Sequence, residues 1–127
     1  MQGIILIFIG AGIGGVLRNT LGMAVMRTFG MGFPYGTLAI NVIGSFTIGI
    51  VAGWLTFMAT GAWTMHARAF IITGILGGFT TFSTFSLDTV LLVERGEVGL
   101  AALYVAGSVG LALAGAFGGL ALMRALA

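Results

Sequence analysis

The sequence predicts an all-α membrane protein of four transmembrane helices in one domain covering residues 1–127. The first observation is composition: 59% of the residues are hydrophobic and only 6% charged, against roughly 25% charged in a soluble domain. The second is length, since the apolar residues fall into four stretches, about 3–26, 35–58, 68–93 and 98–124. At ~1.5 Å per residue each can cross a ~30 Å hydrocarbon core. The third is that the breaks between them are short and built from turn residues, leaving no room for a soluble domain.

The first span has no basic stretch ahead of its apolar run and leads straight into further apolar sequence, so it reads as a mature span and not as a signal peptide. Arg18 lies well inside it. A charge at that depth is a functional hypothesis by default, with Asp88 as the expected partner if the bundle brings the two together. Two other readings stand beside it: snorkelling to the interface, and attraction of anions to a vestibule.

Arg27-Thr28-Phe29-Gly30-Met31-Gly32, ahead of Pro34, closes this span and opens the second. There Thr37, Asn41, Ser45, Gly49 and Gly53 follow one another at i+4 steps, a polar-to-small strip along one side of a helix. Asn41, about two turns inside, offers two amide donors. They can face an anion or cross-bond a neighbouring helix.

After a loop at Thr60-Gly61-Ala62-Trp63-Thr64, with His66 also placed in it, comes the third span. It contains Gly77-Gly78-Phe79-Thr80-Thr81-Phe82-Ser83-Thr84-Phe85-Ser86, a double glycine followed by alternating hydroxyls and rings. Glycine and β-branched threonine are poor helix formers. Backbone that leaves the helix at membrane depth must be buried in protein or line water. A break near 76–81 would free carbonyl oxygens suited to a hard cation; an unbroken helix using its glycines for packing is the alternative. Phe79, Phe82 and Phe85 recur every third residue and on one helix would form a stripe. Such a stripe is either packing or, with the interleaved hydroxyls, a wall whose positive ring edges can hold an anion.

Glu94-Arg95-Gly96-Glu97 separates the fourth span, where Tyr104 and Ser108 repeat the i+4 spacing as two further hydroxyl donors. Interfacial anchoring is the other reading of Tyr104. Glycine is abundant, 23 residues, and the pairs Gly10/Gly14, Gly49/Gly53 and Gly115/Gly119 are the small-xxx-small spacing of closely packed membrane helices.

Charge and residue counts exclude several classes. The basic residues are five scattered arginines, not the clustered stripe that nucleic acid requires. There is no cysteine and one histidine, so no disulfide framework, thiolate metal site or cysteine nucleophile can be assembled. With four spans, Arg68 and Arg124 flank one side of the membrane and Arg27 and Arg95 the other. That balance sets no orientation preference. Either the chain inserts both ways up and opposite copies pair about an in-plane two-fold axis, or another interaction fixes a single orientation.

The stretch from Gly77 to Ser86 resembles the signature of the Fluc (CrcB) family of bacterial fluoride channels. The likeness extends to Gly14-Gly15-Val16-Leu17-Arg18, to Pro34-Tyr35-Gly36-Thr37-Leu38-Ala39-Ile40-Asn41 and to Gly107-Ser108. It implies a multi-pass protein of the bacterial inner membrane, working as an antiparallel dual-topology homodimer with two parallel pores. Passive fluoride efflux through them would protect the cell from fluoride toxicity. It also implies a structural sodium ion at the dimer centre on the backbone carbonyls of Gly77 and Thr80. By the same likeness Phe82 and Phe85 turn ring edges toward fluoride, aided by Asn41, Ser108 and hydroxyls such as Thr81. The sequence departs from the family pattern at Ala112, where a second serine is common, and at Asp88, where glutamate is common. The continuity of the polar track along the fourth span is thereby open.

Other functions fit less well. A small multidrug antiporter needs a titratable carboxylate in its first span, and this span carries Arg18 and no acid. An intramembrane serine hydrolase would need a base for Ser108, and the only histidine, His66, is placed in a loop with no third orienting group. Bundle physics alone also allows a non-conducting scaffold.

Overall fold

A computed structural model describes all residues, 1–127, and is helical apart from its turns and an extended pair at residues 80–81. Helix α1 (Gln2–Phe29) and α2 (Tyr35–Phe57) are followed by α3 (Trp63–Ala67), which runs on through a nine-residue π-helix, Arg68–Leu76, into α4 (Gly77–Phe79). The chain continues with α5 (Phe82–Glu94) and α6 (Val98–Leu126). Four segments, Gln2–Phe29, Tyr35–Phe57, Trp63–Glu94 and Val98–Leu126, are long and apolar enough to cross a membrane. The chain is a multi-pass membrane protein.

The third of these segments begins earlier than expected, at Trp63, and His66 is helical instead of lying in a loop. The cause is local. Gly61 takes a φ of +109° that turns the chain sharply, and Thr64 Oγ1 donates to the Gly61 carbonyl at 2.8 Å, tying the new helix to the turn. The π-helix follows, its width visible where the Gly77 amide reaches the Ile72 carbonyl five residues back.

The spans alternate up and down, and contacts at the two ends record it. Arg95 Nη2 donates to the Gly32 carbonyl at 3.5 Å, joining the α1–α2 and α5–α6 turns. At the other end the Arg124 guanidinium lies 5.4 Å from the Phe57 ring centre. Arg27 and Arg95 thus flank one face and Arg68 and Arg124 the other.

Packing is pairwise and made by glycine. α2 lies most extensively against α6, and α1 against the π-helix and α4. Side chains added at Gly10 and Gly14 would collide with the backbone of Phe70 and Ile75, and at Gly49 and Gly119 with the backbone of Ala116 and Phe46. Lipid supplies no hydrophobic drive between helices, so this close backbone approach is what holds such crossings together. Where α5 and α6 meet, Leu92, Ala101 and Tyr104 are buried, with Phe33, Leu38, Phe85 and Leu100 packed around them.

Candidate functional site

Between α4 and α5 the backbone is extended for two residues, Thr80 (φ −81°, ψ 156°) and Thr81 (φ −151°, ψ 115°). Their polar groups are redirected locally. The Thr80 amide and hydroxyl both donate to the Leu76 carbonyl, at 3.0 and 2.9 Å. Thr81 caps the start of α5, its Oγ1 accepting from the Thr84 amide at 3.2 Å. The same hydroxyl donates to Thr84 Oγ1 at 3.1 Å. Asn41 reaches across from α2 and bonds both backbone groups of Thr81: Nδ2 donates to its carbonyl at 3.0 Å and Oδ1 accepts from its amide at 2.8 Å. Of the two readings of Asn41, the cross-bond is what forms, with one amide hydrogen left over.

Beside this segment α2, α5 and α6 enclose a cleft of about 230 Å³. It is lined by Asn41, Ser45, Thr80, Thr81, Phe82, Phe85, Ser108, Val109 and Ala112. No charged side chain borders it. Ser108 is only 5% exposed, and its Oγ has no hydrogen-bond partner in the protein. Buried hydroxyls rarely stand alone. Phe82 and Phe85 lie with ring centres 5.5 Å apart, tilted by 44°.

Five of the residues expected along the ion path, Asn41, Thr81, Phe82, Phe85 and Ser108, therefore line one cleft, and Thr80, expected to offer its carbonyl to sodium, lines it with them. Phe79 does not join the ring stripe, because the extended residues fall between it and Phe82: Phe79 is buried while Phe82 is 78% exposed. Tyr104 lies outside this cleft. Its hydroxyl donates to Asp88 Oδ2 at 3.0 Å, and its ring packs on Phe85 at 5.2 Å and edge-on to Phe33 at 5.5 Å.

Asp88 thus takes its hydrogen bond from Tyr104, and Arg18 is not paired with it. Arg18 and Asp88 instead share the lining of a second cleft, of about 440 Å³, with Asn19, Thr37, Thr81 and Thr84. Thr81 borders both clefts. The Asp88–Tyr104 bond joins residues on different helices, and neither spacing nor composition signals it. Ser45 and Ala112 could have been placed in the cleft from the i+4 strips through Asn41 and Ser108.

Four spanning segments, with extended backbone inside the third and an uncharged, hydroxyl- and ring-lined cleft beside it, define a multi-pass membrane protein with a polar site between its helices. Residues 5–120 match the family described as CrcB-like protein, Camphor Resistance (CrcB), and the chain belongs to that family. It is 54% identical over 122 residues to the fluoride-specific ion channel FluC 2 of Nitrobacter hamburgensis, covering 96% of this chain and 97% of that one. It is equally similar, 54% over 122 residues with the same coverage, to the fluoride-specific ion channel FluC of Rhodopseudomonas palustris strain BisB5. The FluC of Beijerinckia indica is 48% identical over 126 residues, 99% of each chain. These relatives are named as ion channels, and the family is not one of enzymes.

Proposed function

We propose that this chain is the subunit of a fluoride-specific ion channel of the bacterial inner membrane. It gives passive fluoride efflux and so protection from fluoride toxicity. The names of its relatives support fluoride as the ion. The observation that carries the pore assignment is the Ser108 hydroxyl, buried without a partner in a cleft bordered by Phe82 and Phe85.

Fluoride is small and strongly hydrated, so a conducting path must replace its water in steps and hold it weakly at each. Ring edges of Phe82 and Phe85 carry partial positive charge without formal charge. The hydroxyl of Ser108 and the remaining Asn41 N–H are neutral donors, and the Thr81 hydroxyl joins them on turning its one proton away from Thr84 Oγ1. Tyr104, through its contact with Phe85, shapes the same path from behind. Several weak contacts in file permit exit as well as entry, which conduction requires. Arg18, in the cleft on the other side of Thr81, adds a positive potential that draws anions toward the path.

The functional form in this reading is an antiparallel, dual-topology homodimer in the lipid bilayer, with two pores and the third span broken between Phe79 and Phe82. The even arginine distribution supports insertion both ways up. Phe82, 78% exposed on a single chain, is a ring open to a neighbouring copy.

A structural sodium ion at the dimer centre fits the residues present. In an unbroken helix the Thr81 amide would bond the Gly77 carbonyl; here that amide goes to Asn41, and the Thr80 carbonyl takes no backbone hydrogen bond. Neutral carbonyl oxygens suit a hard cation, and a second copy doubles their number. When bound, such an ion supplies fixed positive charge that holds the two breaks together.

The test is efflux from liposomes loaded with fluoride or with chloride and reconstituted with the purified protein. Rapid fluoride release with chloride retained is expected; no fluoride release, or equal release of both, overturns the reading.

A further inference from the structure

Asn41 does more than donate one hydrogen bond to its neighbour. Helices end where backbone groups find other partners, and at Thr81 both partners come from one side chain, the Asn41 amide, at 2.8 and 3.0 Å. Four residues earlier stands Gly77, whose carbonyl would receive the Thr81 amide if the helix continued. Just after it, the first amides of α5, those of Phe82 and Ser83, have no acceptor in the chain. They lie at the positive end of a thirteen-residue helix, where the dipole favours negative charge.

That helix end alone would mean little. The independent observation is Ser108 Oγ, 95% buried and unpartnered, in the cleft that Thr81 and Phe82 also line. Phe82, whose amide is bare, and Ser108, whose hydroxyl is bare, line the same cleft, and unpaired donors on one cleft await an acceptor.

We propose that Asn41 is the positioning residue of the third span: by taking both backbone groups of Thr81 it holds the span open, so that the Gly77 carbonyl is freed and the amide of Phe82, a residue of the cleft, is offered to the permeating anion. The last part rests on the fluoride reading; the first does not. One asparagine on α2 thereby gives the third span both a free carbonyl and a free amide. Gly77-Gly78 makes the helix weak enough to yield, because glycine is about 1 kcal/mol less favourable than alanine in a helix interior. The i+4 neighbour Ser45 lines the same cleft without bonding the break, so the role belongs to Asn41 and not to the strip as a whole.

The test is amide hydrogen exchange, followed by NMR on the full chain in detergent without fluoride, in wild type, Asn41→Ala and Asn41→Asp. The loss of one hydrogen bond makes Thr81 exchange about tenfold faster in Asn41→Ala. In Asn41→Asp the carboxylate still accepts from that amide, and Thr81 stays near wild type. New protection at Phe82 and Ser83 in Asn41→Ala, a healed helix, supports the proposal equally. The amides of Ile50 and Leu92 serve as controls for the rest of the bundle. Unchanged exchange at Thr81, Phe82 and Ser83 in Asn41→Ala overturns it, as does a loss of protection that spreads equally to Ile50 and Leu92. Because no fluoride is present, failure here is separate from failure of the efflux assay, which tests the channel reading.

Discussion

Tyr104 donates its hydroxyl to Asp88 at 3.0 Å, joining α6 to α5, while its ring is fully buried between Phe33 and Phe85. The carboxylate borders the Arg18 cleft and is not among the groups lining the cleft of Ser108.

Tyr104→Phe preserves the ring packing and removes only that bond. A part-buried carboxylate that loses its donor costs about 1–2 kcal/mol, so the melting temperature should drop. Asp88→Asn, whose carbonyl oxygen still accepts from Tyr104, should cost less. An unchanged Tm in Tyr104→Phe would show the bond to be incidental.

Gly118 and Gly119 are adjacent on α6 and should respond oppositely to a methyl group. At Gly119 an alanine Cβ would meet the Phe46 carbonyl and the Ile50 amide, whereas at Gly118 nothing lies within 4 Å. Gly119→Ala should destabilise the bundle by about 1–3 kcal/mol through overpacking. Gly118→Ala should stay within about 0.5 kcal/mol. Denaturant unfolding of the two variants in the same detergent decides between this and a uniform glycine effect.

The helical spans were legible because lipid leaves few solutions: runs of some twenty apolar residues separated by Gly30, Gly61 and Gly96 can hardly be read otherwise. The glycine pairs were legible for the same reason, since i, i+4 spacing places both on one crossing. Phe82, Ser108 and Asn41 were found as candidates by residue type and register. What they touch was not readable. The sequence offers Asn41 two roles, and only three-dimensional placement brings it onto Thr81. Phe79 reads as the third ring of a stripe because spacing assumes a continuous helix, and two extended residues remove it. Arg18 and Asp88 read as a pair on charge alone, which ignores Tyr104 sixteen residues away on another helix. The early start at Trp63 was missed because Thr60-Gly61 marks a turn without marking where that turn ends.

Orientation should respond to charge. Arg27 and Arg95 flank one face and Arg68 and Arg124 the other, so two lysines added within residues 28–32 would tip an even balance. Every copy should then insert one way, and fluoride transport should be lost for want of an inverted partner. Accessibility labelling of single introduced cysteines at each face gives the topology. Full transport from a uniformly oriented population would refute the antiparallel form.

Phe82→Ile and Phe85→Ile keep apolar bulk and remove the ring quadrupole. If ring edges hold the anion, fluoride flux should fall about tenfold or more in each. Size-exclusion chromatography should still show the assembled protein. Phe85 also packs on Tyr104 at 5.2 Å, so its variant should lose some stability as well, whereas Phe82, 78% exposed on a single chain, should not lose stability of the isolated bundle. Wild-type flux in both variants would reduce the rings to packing.

Ser108 separates stability from transport most cleanly. Its hydroxyl is buried and bonded to nothing in the protein, so it carries a desolvation cost with no return within the fold. A group with a structural role destabilises when removed; an unpaired buried hydroxyl replaced by a methyl group or hydrogen is neutral or stabilising. Ser108→Ala should therefore leave Tm unchanged or raised. The same change removes a neutral donor from the cleft beside Phe82 and Phe85. A hydrogen bond to a charged acceptor is worth roughly 1.5–3 kcal/mol, so fluoride flux should fall by about tenfold or more. Ser108→Thr, which restores the hydroxyl with one added methyl, should recover part of the flux if the cleft admits it. The two readouts must move apart. If Ser108→Ala loses stability and keeps its flux, the hydroxyl has an internal partner, and the assignment of this cleft to the ion path is wrong.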